Sequence, residues 1–186
     1  MHAATALFSR YGFRKTSIDL IAAEAGVAKP TVYAHFADKD ALFVAVCERL
    51  MAGIVTAATA AAERERDVVD RLAAMLAAKF TTVFELVESS PHARELLDSS
   101  NELANEVIRA ADDRYERALV AAIRAATEAG ELDLRGVVRS PKAFAAMLMQ
   151  AGHGAGHHAN TAEQHRGNLR ELVRVLVHAA RGQHSR

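Results

Sequence analysis

The sequence predicts an all-α protein, and three observations carry that prediction. Alanine fills 40 of the 186 positions, proline three (Pro30, Pro91, Pro141) and tryptophan none. Alanine loses no side-chain entropy on entering a helix, and few residues here would break one. Apolar residues recur at spacings of three and four, whereas long runs of alternating Val, Ile, Thr and aromatics, which would mark strands, are missing. Hydrophobic residues make up 51% of the chain, enough for a substantial core.

About nine helices follow in order. Ala4, Leu7, Phe8 and Tyr11 line one face of a first helix that Gly12 ends. Thr16 and Ser17 supply N-cap oxygens and Asp19 complements the helix dipole of a second, whose apolar face is Ile18, Ile21, Ala22 and Ala25 and whose stop is Gly26. Pro30 fits the first turn of a two-turn third helix, Lys29 to Phe36. Asp38 caps a long fourth helix through Leu42, Val46, Leu50 and Ile54, which fades into the alanine- and charge-rich stretch 57–67. The fifth runs from Val68 to about Ser89; Ser90-Pro91 caps a short sixth, His92 to Asp98. The seventh spans about Asn101 to Ala129 and stops at Gly130. Ser140-Pro141 opens the eighth, and Thr161 with Gln164 forms a capping box for the ninth, through Leu169, Val173, Val177 and Ala180.

Several classes fall away on composition. A single cysteine, Cys47, forms no internal disulfide and no cysteine-based zinc site, and its place on an apolar helix face reads as a buried thiol. No apolar run is expected to reach the roughly 20 residues that span a bilayer, and no leader pattern opens the chain, so a cytoplasmic protein with no membrane partner is expected. Net charge is zero, which by itself argues against a polyanion partner. By segment the charge is +2 over residues 1–37, −6 over 38–163 and +4 over 164–186, and six of the ten aromatics lie in the first 43 residues. Two regions with different work are expected: 1–45 and 46–186.

The first region has the form of a helix-turn-helix: two helices joined at Gly26, the second very short. At 100° per residue, Val32 and Phe36 face the core of the third helix, while Pro30, Thr31 and Ala34 face outward, flanked by Lys29, Tyr33 and His35. That surface is small, polar and hydrogen-bonding, suited to a major groove. Thr16 and Ser17 are placed to offer donors to a phosphate, and Lys39 to reach another.

Here the sequence resembles the TetR family of bacterial transcription regulators. The stretches that carry the likeness are Ala6-Leu7-Phe8 to Gly12-Phe13, Thr16-Ser17-Ile18, Ile21-Ala22, Ala25-Gly26-Val27, Lys29 to Phe36 and Lys39-Asp40-Ala41-Leu42, about 45 residues in all. The resemblance implies operator contacts from Lys29, Pro30, Thr31, Tyr33 and His35, with Thr16, Ser17 and Lys39 on phosphates. It implies a homodimer on a palindromic double-stranded DNA operator, paired through the eighth and ninth helices, and release of a repressor by a small-molecule effector enclosed by the fifth to eighth helices. Family members usually carry a turn or more of first helix, often with a basic arm, before the position where this chain begins. Without that arm, DNA affinity should fall.

The larger apolar side chains on the helices implied to line the pocket are Met75, Phe80, Phe84, Tyr115, Phe144 and Met147, which would suit an apolar or aromatic effector. His153 and His157, four apart in a glycine-rich run, have the spacing of two metal ligands on one helix face. With no cysteine or nearby carboxylate, a frayed helix end or dimer corner is the better reading, and no metal or cofactor is expected. Arg166, Arg170, Arg174 and Arg181 are expected to form a solvated edge. An enzyme is disfavoured: there is no phosphate-cradling loop, nucleophile elbow or paired-helix metal motif. A helical interaction protein that does not bind DNA is the other alternative.

Overall fold

The computed structural model describes residues 1–90, 92–97, 102–155 and 159–181. Among the described residues it is all helix and turn: α1 His2–Lys15, α2 Ile18–Glu24, α3 Lys29–Tyr33, α4 Lys39–Arg64, α5 Val68–Ser89, α6 Asn105–Glu128, α7 Pro141–Gly154 and α8 Ala162–Ala180. The expected sixth helix is a single 3-10 turn, Ala93–Leu96, so the described residues form eight α-helices where about nine were expected. Four residues close too few hydrogen bonds to offset nucleation of an α-helix. Pro91 of its expected cap and Asp98, its expected end, lie outside the described residues, as does Asn101, the expected start of the next helix. The expected eighth and ninth helices are α7 and α8.

Four of the expected caps are in place, whereas the Thr16 hydroxyl, also expected to cap α2, donates to carbonyls of α1 instead. Ser17 Oγ accepts from the Leu20 N–H at 3.2 Å, Asp38 Oδ1 from Ala41 at 2.7 Å, Ser140 Oγ from Ala143 at 3.2 Å and Thr161 Oγ1 from Gln164 at 3.1 Å. The Gln164 side chain accepts in return from the Asn160 N–H at 2.8 Å, one residue before the cap. Gly12 takes φ 78° and interrupts the helical backbone of α1, and Gly26 takes φ 65° just beyond α2, a conformation that costs a glycine little. The third helix is shorter than expected and ends at Tyr33.

Two compact units divide the chain. The first comprises Met1–Gly53 and Glu85–Asp112, so it takes in more than residues 1–45. Phe8, Phe13 and Phe43 form its aromatic centre, with ring centroids 4.9–5.9 Å apart, and Ile18, Ile21, Val32, Leu42 and Val46 are buried with them. The Ser90 hydroxyl donates to the Ser9 carbonyl of α1, and α1 packs on the 3-10 turn. Tyr11, assigned to the apolar face of the first helix, is instead exposed beneath the Arg10 guanidinium, which lies 5.2 Å from its ring centre.

The second unit comprises Ile54–Phe84 and Asp113–Arg186. Leu72, Met75, Leu76, Leu119, Ile123, Phe144, Leu148, Leu169, Val173 and Val177 are fully buried in it. The buried Tyr115 hydroxyl donates to the Met75 carbonyl at 2.9 Å, satisfying a group that would otherwise be stranded. At the expected arginine edge, Arg170 pairs with Asp70 at 2.5 Å, Arg174 with Glu171 at 2.6 Å and Arg181 with Asp67 at 3.3 Å.

One expectation about the sequence needs correcting. Among the described residues α4 is long and apolar enough, by length and composition alone, to cross a membrane. Residues 41–62 carry only Glu48 and Arg49 as charges, because alanine counts as apolar. Leu42, Phe43, Val46, Cys47, Met51, Ile54 and Ala58 of this helix are buried in the protein, the pattern of a core helix.

Candidate nucleic-acid interface

The geometry of the helix-turn-helix follows from a few local bonds. After α2, the Gly26 N–H donates to Ala23 at 3.1 Å and the Val27 N–H to Ala22 at 3.0 Å, closing the helix end. Ala28 is extended, Pro30 occupies the first turn of α3, and Val32 is the one α3 residue that is buried. Lys29, Pro30, Thr31, Tyr33, Ala34 and His35 are all exposed, Tyr33 at 47%. Val32 therefore anchors a short helix whose remaining residues are presented outward, as the 100° projection implies.

The candidate phosphate contacts separate in the structure. Ser17 is exposed at the start of α2. Thr16 is 1% exposed, and its hydroxyl donates inward to the carbonyls of Gly12 at 2.8 Å and Leu7 at 3.2 Å. The Thr16 hydroxyl thus braces the α1–α2 turn. Half-buried Lys39 donates to the Phe13 carbonyl at 3.0 Å, with its ammonium 4.2 Å from the Phe13 ring centre. Lys29 forms an ion pair with Asp19 of α2 at 2.8 Å, and that carboxylate raises the lysine's affinity for its proton.

Sequence reasoning placed Asp19 only as a helix-dipole partner; its link to Lys29, ten residues on, needs the fold. It also gave no role to Leu20 or Val27, which are 48% and 41% exposed. Leu20 lies off the stripe formed by Ile18 and Ile21, and that was its available signal.

The six candidate pocket residues differ in placement. Met75, Tyr115 and Phe144 are fully buried and Phe80 nearly so, while Phe84 is half-buried and stacks on the His165 ring at 4.9 Å and 19°. Met147 is 38% exposed, on the outer side of α7 and not in the interior. His165 is buried, its Nδ1 3.0 Å from the Thr81 hydroxyl, and burial, aided by the neighbouring Arg166 charge, pushes its pKa below the usual histidine value. A cleft of about 450 Å³ on this unit is lined by Asp113, Glu116, Arg117, Val120, Ala121, Arg124 and Lys142, none of them among the six.

His153 Nδ1 lies 2.7 Å from the Met149 carbonyl, and its ring meets Phe80 edge-on at 4.9 Å. His157 lies outside the described residues. Among the described residues no cluster of three His, Cys, Asp or Glu side chains is placed to hold a metal ion.

Comparison with known proteins agrees with this geometry. Residues 1–46 match the family described as bacterial regulatory proteins, tetR family. The HTH-type transcriptional activator FasR of Mycolicibacterium smegmatis is 36% identical over 78 residues, 42% of this chain and 36% of that protein. The matched stretches of the two curated relatives cover 14% and 36% of their lengths. The TetR family transcriptional regulator PfmR from Thermus thermophilus shares the fold with a TM-score of 0.63 at 19% identity, over 95% of both chains. The transcriptional regulator FadR from Bacillus subtilis, solved with stearoyl-CoA, superposes with a TM-score of 0.65 at 16% identity, over 95% of this chain and 93% of that one. Residues 1–46 thus carry a helix-turn-helix that matches the tetR family of bacterial regulatory proteins, and the fold of nearly the whole chain is shared with solved structures at 16–19% identity.

Proposed function

We propose that the chain is a cytoplasmic transcriptional repressor that binds a palindromic DNA operator as a homodimer and is released by a small-molecule effector. The observation that carries the reading is the exposed surface of α3 and the two residues that follow it, with Pro30, Thr31, Tyr33, Ala34 and His35 exposed around the buried Val32. Phosphate contacts position such a helix and base-edge contacts specify its sequence. Dimerisation through α7 and α8 would set two of these helices at the spacing of successive major grooves. The exposed Met147 on α7 and Val175 on α8 support that surface. An apolar effector suits the helices α5 to α7, and the stearoyl-CoA bound by the FadR structure makes long-chain acyl thioesters the first class to try. Binding there would shift α4 and change the separation of the two reading helices, a change of population between two states.

Fluorescence anisotropy with the gene's own upstream DNA tests the reading. Affinity should fall as salt rises and exceed that for random duplex; salt-insensitive or sequence-indifferent binding would overturn it. An acyl-CoA of matched chain length should raise the thermal midpoint and release the DNA. The FasR likeness supplies a second reading, activation, which a reporter gene would reveal as lower expression when the regulator is deleted.

A further inference from the structure

The Lys29 ammonium opens the reading helix, and on that surface it is joined to the Asp19 carboxylate, with Nζ 2.8 Å from Oδ1 and 2.9 Å from Oδ2. Both side chains are solvent-accessible, 47% for Lys29 and 68% for Asp19, so the pair is not a stability element. Its effect is on the charge that an approaching duplex meets. A lysine neutralises a phosphate only with charge it has not already shared, and each phosphate neutralised releases condensed counterions.

We propose that Asp19 is a specificity-setting residue: by holding Lys29 it cancels one positive charge on the reading face and suppresses binding to DNA of arbitrary sequence. An ammonium has three donors, so Lys29 can keep Asp19 on one and still offer another to a defined acceptor on the operator. On random DNA, where contact is electrostatic and the acceptor varies, the pair leaves little net attraction. Lys39, at the start of α4, is also turned inward, to the Phe13 carbonyl and ring, while Arg14 and Lys15 at the end of α1 are exposed. The inference rests on the DNA-binding reading and concerns a positioning residue within it.

The test is Asp19→Asn, measured by anisotropy on a random-sequence duplex and on an operator selected in vitro, from 50 to 200 mM salt. On random duplex the log–log salt slope should steepen by about 0.9 per protomer, which over that fourfold range is about 3.5-fold more affinity lost per protomer. Discrimination between operator and random DNA should fall about threefold at the lower salt. The double variant Asp19→Asn with Lys29→Gln should return to the wild-type slope. Glu24→Gln removes the same charge from the same exposed helix without touching the Lys29 pair, and it should leave the slope near wild type. An unchanged slope in Asp19→Asn, or an equal change in Glu24→Gln, overturns the role of Asp19 while leaving DNA binding intact. Wild-type protein that shows no salt-dependent binding to either duplex overturns the DNA reading, and this inference with it.

Discussion

Thr16 and Ser17 are neighbours of the same chemical kind with opposite uses. Ser17 caps α2 from the surface, while the Thr16 hydroxyl is enclosed and divided between two carbonyls of α1. Thr16→Val keeps the shape and removes the buried hydroxyl's bonds to both carbonyls, so unfolding in urea should show a loss of about 1–3 kcal/mol. Ser17→Ala should cost about 1 kcal/mol through the lost cap. Tyr33→Ala, at an exposed position, should leave stability unchanged and weaken operator binding about tenfold; unchanged affinity would remove Tyr33 from the reading surface. His165 supplies a pH dependence. Its unfolded imidazole titrates near 6.5, and burial holds the native value lower, so protons bind the unfolded chain first. Stability from this group is complete above about pH 6.5 and is lost as pH falls from there toward the native value. His165→Gln should therefore lose less stability than wild type between pH 7.5 and 5.5 in urea unfolding.

Among the elements, α5 and α7 meet at a point where one atom decides the fit. A Cβ built on Gly152 would overlap the edge of the Phe80 ring, inside any real contact distance. Gly152→Ala should lower stability by about 1–3 kcal/mol, and in a Phe80→Leu background the penalty should shrink, which a double-mutant cycle of thermal melts would measure. The sequence showed Gly152 only as part of a glycine-rich run; its close approach depends on a ring 72 residues away. The legible features were local ones: Ser17, Asp38, Ser140 and Thr161 announce helix starts because a cap needs only its own next turn. The fate of residues 93–96 was less legible, because a proline and a few apolar residues suit a 3-10 turn as well as an α-helix. Within the interface, the outward face of α3 followed from 100° steps, whereas the inward turn of Thr16 and Lys39 depended on carbonyls that only the folded α1 brings near.

For the molecule as a whole, zero net charge is an average over unlike surfaces. Lys29 and Lys39 are engaged within the protein and three C-terminal arginines are answered by carboxylates, while Arg10, Arg14 and Lys15 of the basic N-terminal segment are exposed. A homodimer through α7 and α8 makes a sharp prediction at Val175, which is 60% exposed on α8. Val175→Glu would set like charges against each other across a symmetric interface, and dimer affinity should fall a hundredfold or more, about 3 kcal/mol. Sedimentation should then report monomer while the helical circular dichroism persists; an undiminished dimer would place the interface elsewhere. Cys47 makes such experiments unusually clean. It is the only cysteine in the chain, fully buried in α4, and burial pushes its thiol up to about 12. At neutral pH the buried thiol stays protonated, so maleimide and disulfide reagents find almost no thiolate to attack. A fluorophore or spin label attached to a cysteine introduced at Thr31 would report on the reading helix alone, with the native thiol left in place.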